Sequence, residues 1–280
     1  MILKNKNVIL TGAGRGIGRE AAKKLSSEGA NIALIARTES ELKETLEILR
    51  PGNKNTFFMT LDIANEEEVI KSFEKIIKRM QRVDCLVNNA GIQPPIGTFE
   101  KTNLEEWKHN IKVNLFGTVN CTYAVIKKMI EQKRGKIINM SGGGSTSPRP
   151  NFSAYGVSKT AVVRFTETIA EEFREYNIDI NAISPGAINT KMLEEVLDAN
   201  ENAGKEFNDA TRRKKEGGND PGIAADLICF LCSDLSNGIT GKLISAPWDN
   251  WKDREFQDYL KKNKDLGTLR RIDNKNFYRR

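Results

Sequence analysis

The chain has 280 residues, of which 39% are hydrophobic, and a formal net charge of +7 at neutral pH. This length suits one sizeable α/β core, and no Pro- or Ser-rich linker divides the chain. No apolar run approaches the ~20 residues that a membrane span needs, and the first predicted strand starts too near Met1 for a signal sequence. We therefore predict one cytoplasmic domain with neither a membrane nor a nucleic-acid partner.

The first predicted strand, 7–11, runs into a glycine-rich turn from Gly12 to Gly18, and a helix is predicted from about Arg15. Glycines let the backbone approach a pyrophosphate closely, and free N–H groups at a helix N-terminus stabilise its charge. A glycine turn alone can be merely structural. The strand before it and the helix after it predict a dinucleotide site.

The second predicted strand, 31–36, is followed by Arg37. In a Rossmann-type fold this residue faces the adenosine ribose. A carboxylate there would accept from the ribose hydroxyls, whereas an arginine favours a 2′-phosphate through charge-assisted contacts. With Arg15 approaching from the glycine turn, the pair predicts NADP, although either arginine can also be a plain surface charge. Glu39 is the nearby acid that argues for NAD.

The middle of the chain alternates helices and strands. The predicted elements are helix 41–49, strand 56–61, helix 66–80, strand 84–87 and a long helical segment 104–131. Asp62 follows the third strand, where a helix cap is its simpler role. Asn114 lies within the long helical segment, where the low helix propensity of asparagine indicates a specific reason for its presence.

The fifth predicted strand, 135–140, leads through Ser141 and three glycines to a helix predicted over 154–176. Tyr155 and Lys159 share a face of this helix, so the ammonium is expected to lower the phenol pKa from its usual ~10 toward neutrality. Ser141 can aim its hydroxyl at the same point, where open α/β sheets bind ligands. Alone, Tyr-x-x-x-Lys is also the pattern of an ordinary amphipathic pair.

The remaining predicted elements are strand 178–184, a charged segment 191–218 that is helical in places, helix 221–231 and strand 241–245. The four cysteines are Cys85, Cys121, Cys229 and Cys232. Cys229 and Cys232 have the spacing of a redox or metal half-site, but they lie in an apolar helical run without a second pair. We therefore predict buried, reduced thiols and no metal.

These motifs occur in the order found in the short-chain dehydrogenase/reductase family, which residues 6–245 closely resemble. Within that family, the chain resembles the members that are like 3-oxoacyl-carrier-protein reductases. The resemblance implies a Rossmann-type, doubly wound parallel sheet of about seven strands. It also implies an NADP-binding domain over 1–247, with a substrate lid at about 190–218, and a C-terminal extension over 248–280.

The resemblance further implies a catalytic tetrad of Asn114, Ser141, Tyr155 and Lys159. Tyr155 would donate a proton to the carbonyl oxygen as hydride reaches its carbon, and Ser141 would hydrogen-bond that oxygen. Lys159 would lower the Tyr155 pKa and bind ribose, and Asn114 would distort its helix and order a relay water. No metal is required.

The resemblance to the family also implies which residues contact the cofactor. In relatives, the asparagines after the fourth strand brace the central strand and line the cofactor. The implied cofactor-binding residues are Thr11, Gly12, Arg15, Gly16, Ile17, Gly18, Arg37, Asp62, Ile63, Asn89, Ala90, Gly91, Tyr155, Lys159, Pro185, Gly186, Ile188 and Thr190.

The substrate stays open at this stage. A 3-oxoacyl thioester on a carrier protein fits the resemblance, whereas a sugar-type carbonyl fits the roomy glycine triplet Gly142 to Gly144 and the basic tail. An anionic substrate would also suit the tail's charge. The alternative to an enzyme is a catalytically weak NADP-binding sensor or scaffold. The resemblance implies a homodimer or homotetramer.

The C-terminal extension departs most from the family. Residues 252–280 carry ten Lys or Arg against five acids, and the extension contains Trp248, Trp251, Phe256, Tyr259, Phe277 and Tyr278. Such aromatic content is unlike a disordered tail. In the simpler interpretation, Trp248 and Trp251 fill their own subunit's core. We predict that the tail instead packs across a subunit interface or beside the lid, so that Arg270 or Arg271 meets an anionic part of the substrate.

Overall fold

A sheet of parallel strands organises the fold. The structure is a computed structural model that describes residues 1–50 and 55–272. Its strands are β1 (Asn7–Thr11), β2 (Asn31–Ala36), β3 (Phe57–Thr60), β4 (Cys85–Asn88), β5 (Gly135–Met140), β6 (Ile178–Ser184) and β7 (Leu243–Ser245). Within these residues the strand order is β3-β2-β1-β4-β5-β6-β7. The predicted seven-stranded Rossmann-type sheet is therefore confirmed.

Helices cover both faces of this sheet, because parallel strands need crossover connections. The helices of the described residues are α1 (Gly16–Ser27), α2 (Glu39–Leu49), α3 (Glu66–Met80), α4 (Leu104–Ile111), α5 (Gly117–Gln132), α6 (Ser153–Glu172), α7 (Lys191–Asp198), α8 (Lys205–Glu216), α9 (Pro221–Cys232) and α10 (Arg254–Lys262). Buried residues of α1, α2 and α9 form one core, and those of α3, α5 and α6 form the other.

The strands are largely apolar because both faces of the sheet are buried. Successive residues of a strand point to opposite faces. In β1, Val8 and Leu10 enter the core under α1 and α9, whereas Ile9 enters the core under α3 and α5. The carboxyl ends of the central strands therefore emerge between two rigid layers, and this edge carries the candidate site.

Most element boundaries follow the predictions, and the exceptions have local causes. β7 starts at Leu243 rather than at residue 241, because Gly241 has a φ of 72° and turns the chain. α6 ends at Glu172 and is followed by a short 3-10 helix, Arg174–Tyr176. The long helical segment is interrupted by a π-helical turn, Lys112–Phe116.

The described part of the C-terminal extension, 248–272, packs on its own chain. Trp251 is buried in the core under α9, with its ring centroid 5.6 Å from that of Phe230. Leu260 of α10 is buried in the same core. Trp248, in contrast, is 74% exposed, so it does not fill the core as the simpler interpretation holds. Phe277 and Tyr278, named in the prediction for the tail, lie outside the described residues.

Arg270 does not reach the predicted position at the substrate. It lies 3.7 Å from Glu167 and 3.1 Å from Asp265. Glu167 is twelve residues after Tyr155 on α6, a rise of roughly 18 Å along a helix. The prediction that Arg270 meets the substrate is therefore wrong within this chain, because Glu167 of α6 holds its guanidinium far from Tyr155.

All four cysteines are buried and free, as predicted. Cys229 and Cys232 lie in α9, and both pack into the core as small apolar side chains. Within residues 1–50 and 55–272, no helix combines the length and the apolar character that a bilayer span requires.

Candidate active site

A cavity of about 700 Å³ lies at the carboxyl ends of the strands, within the size range of small-molecule sites. The predicted residues that line it are Gly12, Arg15, Gly16, Ile17, Gly18, Arg37, Asp62, Ile63, Asn89, Ala90, Gly91, Ser141, Tyr155, Lys159, Pro185 and Thr190. Met192, Leu193 and Glu195 of α7 also line it.

The turn after β1 presents an open helix end to this cavity. No side chain caps the first N–H groups of α1. Gly12 has a φ of 65°, and a Cβ there would lie 2.7 Å from Asn89 Nδ2. A Cβ on Gly18 would overlap the carbonyl oxygen of Gly12. Glycine is therefore required at both positions, and the unpartnered N–H groups fit the pyrophosphate of a dinucleotide.

The end of β2 carries a guanidinium that has no partner within residues 1–50 and 55–272. Arg37 is exposed at the cavity, and its side chain makes no hydrogen bond or ion pair with any described residue. Arg15 is held by Glu41, with 3.0 Å between Nη1 and Oε1. Glu39, the acid that argued against NADP, instead pairs with Lys43 at 2.7 Å on the surface. Glu41, which the sequence analysis did not single out, is the acid at this end of the cavity.

Asparagines brace the central strands, as the resemblance implied. Asn88 Nδ2 donates to Asn139 Oδ1 of β5 at 2.9 Å. Asn89 Nδ2 donates to the carbonyl oxygens of Thr11 and Gly12 at 2.9 and 3.1 Å. Thr11 Oγ1 in turn accepts the N–H groups of Asn89 and Ala90. These contacts fix the loop after β4 to the glycine turn.

Some predicted cofactor residues lie behind the cavity rather than in its wall. Thr11 is fully buried in the bracing contacts just described. Gly186 faces Asn219 and Pro247, and Ile188 is buried in the core. Asp62 does line the cavity and accepts the N–H of Ala64. The helix-cap interpretation of Asp62 is wrong, because Asn65 caps α3.

Ser141 and Tyr155 both line the cavity at the carboxyl end of β5. Both residues are buried, and Ser141 Oγ has no hydrogen-bond partner among the described residues. A Cβ on Gly142 would overlap Tyr155 Oη, so glycine is needed for the phenol to lie beside the residue that follows Ser141. A buried hydroxyl without a partner is unusual in a folded protein. Its position points to a ligand oxygen as the partner.

Lys159 lies next to Tyr155 and is held by the backbone. Its Nζ donates to the Met140 carbonyl oxygen at 2.9 Å and lies 5.6 Å from the centroid of the Tyr155 ring. A Cβ on Gly91 would lie 3.4 Å from Lys159 Nζ and 2.9 Å from Asn114 Oδ1. Gly91 thus lets the lysine and the asparagine approach each other.

Asn114 lies at the centre of the π-helical turn. Its Oδ1 accepts the N–H of Ile92 at 2.8 Å, and its Nδ2 donates to the Ile92 carbonyl oxygen at 2.8 Å and to Ser158 Oγ at 3.0 Å. Single π-helical turns are frequent at functional sites. The distortion of this helix at Asn114, implied by the resemblance, is present.

The pKa of Tyr155 departs from the prediction. Burial raises the pKa of this phenol above its ordinary value, and Arg149 is the cation that opposes the rise. The prediction that Lys159 lowers the phenol pKa below its ordinary value is wrong, because desolvation of the phenol is the larger effect and the cation that opposes it is Arg149. Burial lowers the pKa of Lys159 to about 8.

Two charged residues near the phenol were missed by the sequence analysis. Arg149, in the loop before α6, lies with its guanidinium carbon 5.4 Å from the Tyr155 ring centroid. It pairs with Glu206 of α8. Glu195 of α7 lines the cavity, and burial raises the pKa of its carboxyl. No motif distinguishes these residues from surface charges in the sequence, since only the folded lid brings them to the site.

Comparison with known proteins agrees with this arrangement. A family model described as short chain dehydrogenase matches residues 6–201. The chain is 32% identical over 243 residues to a 3-oxoacyl-acyl-carrier-protein reductase of Aquifex aeolicus, covering 86% of this chain and 96% of that protein. It is 30% identical over 246 residues to a 2,3-dihydro-2,3-dihydroxybenzoate dehydrogenase of Bacillus subtilis, covering 85% of this chain and 93% of that protein.

A solved structure has the same fold. NAD⁺-bound xylitol dehydrogenase superposes with a TM-score of 0.81 at 28% identity, over 88% of this chain and 98% of that one.

Proposed function

The chain belongs to the short chain dehydrogenase family, and we propose that it is an NADP-dependent carbonyl reductase or alcohol dehydrogenase. Membership makes it an oxidoreductase that acts on carbonyl or alcohol substrates. The observation that carries the catalytic proposal is Ser141 Oγ, buried and unpartnered beside the phenol of Tyr155. A carbonyl oxygen placed there accepts from both hydroxyls.

Each catalytic side chain of the protein has a separate role in this proposal. When bound, a nicotinamide ring supplies or accepts the hydride. Tyr155 holds the proton that passes to the substrate oxygen, and its raised pKa keeps the phenol protonated at neutral pH. Ser141 orients the same oxygen. In this proposal Lys159 binds the ribose, and Asn114 holds a relay water. Both side chains lie beside Gly91.

The preference for NADP rests on Arg37. Its guanidinium lies at the end of β2, where a Rossmann-type fold brings the adenosine ribose, and has no partner among the described residues, so a 2′-phosphate would meet an available fork. Arg15 can add to this contact by leaving Glu41. NAD is the competing cofactor, and the structural relative named above binds it.

Two substrate types are consistent with the relatives. The Aquifex aeolicus protein is named for a 3-oxoacyl substrate on a carrier protein, and the structural relative is named for xylitol. We propose residues 190–218 as the lid that selects between such substrates. Its helices α7 and α8 form a small buried cluster with Phe152 and Tyr155.

We also propose a homodimer or homotetramer that pairs through α5 and α6. Phe116, Tyr123 and Val157 are each more than half exposed. α6 packs against the π-helical turn that carries Phe116, so the three residues lie on adjoining elements. Sedimentation of the wild type and of Tyr123→Glu measures this association, and a wild-type monomer would refute it.

The function is tested with purified protein. NADPH and NADH are each offered with oxoacyl, sugar and steroid ketones, and consumption of the reduced cofactor is followed. We expect turnover with NADPH and at least one ketone, and much less with NADH. Absence of turnover with every ketone would refute the reductase proposal.

A further inference from the structure

A cation that the proposed mechanism leaves unused lies beside the phenol. The Arg149 guanidinium carbon is 3.9 Å from the ring centroid of Phe152 and 5.4 Å from that of Tyr155. A Cβ on Gly143 would lie 3.8 Å from Arg149 Cδ, and one on Gly142 would overlap the Tyr155 Oη. Adjacent residues of one loop therefore contact the guanidinium and the reacting oxygen.

The partner of Arg149 comes from the lid. Arg149 Nε and Nη2 donate to Glu206 Oε1 and Oε2 at 2.6 and 2.5 Å, which makes the contact bidentate. The two side chains are 16% and 28% exposed. Among the residues that the structure describes, this is the one ion pair that joins α7 or α8 to the rest of the chain.

Tyr155 lines the cavity but is only 6% exposed, because the lid helices pack on its ring, so movement of the lid would open the phenol further to a substrate. The Tyr155 ring packs with Phe152 and with Leu193, Val196 and Ala210 of the lid helices. Moving α8 away separates Glu206 from Arg149. A largely buried cation then loses its counter-charge, which is strongly unfavourable unless another anion replaces it. A neutral substrate would not compensate this loss, whereas a substrate carboxylate would.

We propose that Arg149 recognises a carboxylate on the substrate, and that Glu206 occupies the place of this carboxylate while the lid is closed. The planar guanidinium fork that donates to both Glu206 oxygens has the geometry to bind a free carboxylate in the same way. The substrate class is then a small oxo acid or hydroxy acid whose carboxylate lies a few bonds from the reacting carbon. The inference rests on the proposed function, because it takes Tyr155 as the group that meets the carbonyl oxygen.

The test compares acids with their neutral esters. Pyruvate, acetoacetate and 4-oxopentanoate are each assayed beside their methyl esters with NADPH, so that chain length reports the distance from the fork to the reacting carbon. We expect the wild type to prefer at least one acid over its ester. Arg149→Gln should lower that acid-to-ester ratio of kcat/KM about ten- to hundredfold, chiefly through the KM of the acid. Because a general loss of activity lowers kcat/KM for the acid and for its ester equally, it leaves their ratio unchanged.

Two further variants separate recognition from a structural role. Glu206→Gln removes the competing carboxylate and should lower the KM of the acid, whereas a merely structural pair predicts equal damage to acid and ester. Arg149→Lys keeps the charge without the fork, so its acid-to-ester ratio of kcat/KM should fall between those of the wild type and Arg149→Gln. This variant keeps the test usable if Arg149→Gln folds poorly. Arg212→Gln is the control, because Arg212 is exposed and pairs within α8 with Asp209 at 3.0 Å.

Calorimetric titration of the NADPH-loaded protein with the same acids separates the proposal of a carboxylate site from the proposal of a reductase. Binding that needs Arg149 supports the carboxylate site whether or not turnover follows, and the reductase is judged separately by the ketone screen described above. Turnover with an acid-to-ester ratio that Arg149→Gln leaves unchanged would overturn the carboxylate site. So would a wild-type preference for every ester, or a failure of all three acids both to bind and to react.

Discussion

At the scale of single residues, Tyr155 offers the sharpest test. Tyr155→Phe keeps the ring that packs with Phe152 and Leu193 but removes the hydroxyl beside Ser141. We expect turnover to fall roughly 10²- to 10⁴-fold, the usual contribution of a positioned proton donor. NADPH affinity, measured by fluorescence, should stay near that of the wild type. A variant that retains its turnover would remove Tyr155 from the mechanism.

Arg37 tests cofactor choice. Because its guanidinium has no partner among the described residues, Arg37→Asp breaks no contact within the described parts of the chain but places a carboxylate opposite a 2′-phosphate. We expect the preference for NADPH over NADH to fall roughly ten- to hundredfold. Lys43→Asp, an equal change of charge on the exposed face of α2, is the control for general electrostatics. Equal affinity of the wild-type protein for both cofactors would contradict the NADP proposal.

Lys159 predicts a pH dependence. Burial lowers its pKa to about 8, so the ammonium dominates below that pH and is lost above it. If this ammonium binds ribose, NADPH affinity should be constant near pH 7 and fall as pH rises through about 8. Fluorescence titrations from about pH 7 to 9.5 measure the change, and Lys159→Arg should flatten it because arginine stays charged. A flat wild-type profile would rule out this role for the ammonium.

Part of the site was predictable and part was not. Ser141, Tyr155 and Lys159 belong to local patterns, since a strand end and one helix face fix their positions before any tertiary contact is known. Arg149 and Glu206 are 57 residues apart, and only the tertiary packing of the lid brings them together. The direction of the Tyr155 pKa was also missed, because sequence spacing shows the neighbouring cation but not the desolvation that outweighs it.

At the scale of elements, the π-helical turn at Asn114 has a measurable energetic role. The Asn114 side chain bonds both backbone groups of Ile92 and the side chains of Asn110 and Ser158. Asn114→Ala removes these four hydrogen bonds and takes away the partner of the Ile92 N–H and of Asn110 Oδ1, so we expect a loss of about 1–3 kcal/mol in the free energy of unfolding. Urea denaturation measures it.

Asn120→Ala provides the matched control for Asn114→Ala. Asn120 lies on α5 and donates one hydrogen bond, to the Ile63 carbonyl oxygen at 3.0 Å. Its loss should cost less than that of Asn114. If the two substitutions are equally mild, Asn114 does not hold the turn together.

Elements with continuous apolar runs were predictable from the sequence. β1, β2, β5 and β6 have the predicted bounds because burial on both faces makes most of their residues apolar. The π-helical turn was implied by family resemblance alone, since one inserted residue hardly changes a helical pattern. α10 was not predicted, because only Leu260 of its nine residues is fully buried.

At the scale of the whole molecule, the C-terminal extension belongs to the main core. Leu260 is 2% exposed in the cluster that also contains Trp251. Leu260→Ala should therefore cost about 2–5 kcal/mol of unfolding free energy, as for other buried leucines, without changing NADPH affinity. Tyr259→Ala, on the same helix but 55% exposed, is the control. A loss no larger than that of Tyr259→Ala would show that α10 is only loosely attached.

The contacts of β7 with the extension also bear on aggregation. β7 is the last strand of the sheet, and a bare edge strand is a template for pairing with other chains. Its Leu243 N–H donates to the Gly267 carbonyl oxygen at 2.6 Å, and its Ser245 N–H donates to Asp249 Oδ2 at 2.7 Å. Both donors are thus occupied by the extension. A chain clipped by a protease after Ala246 would keep every proposed catalytic residue but expose this edge, and would be prone to strand-to-strand self-association.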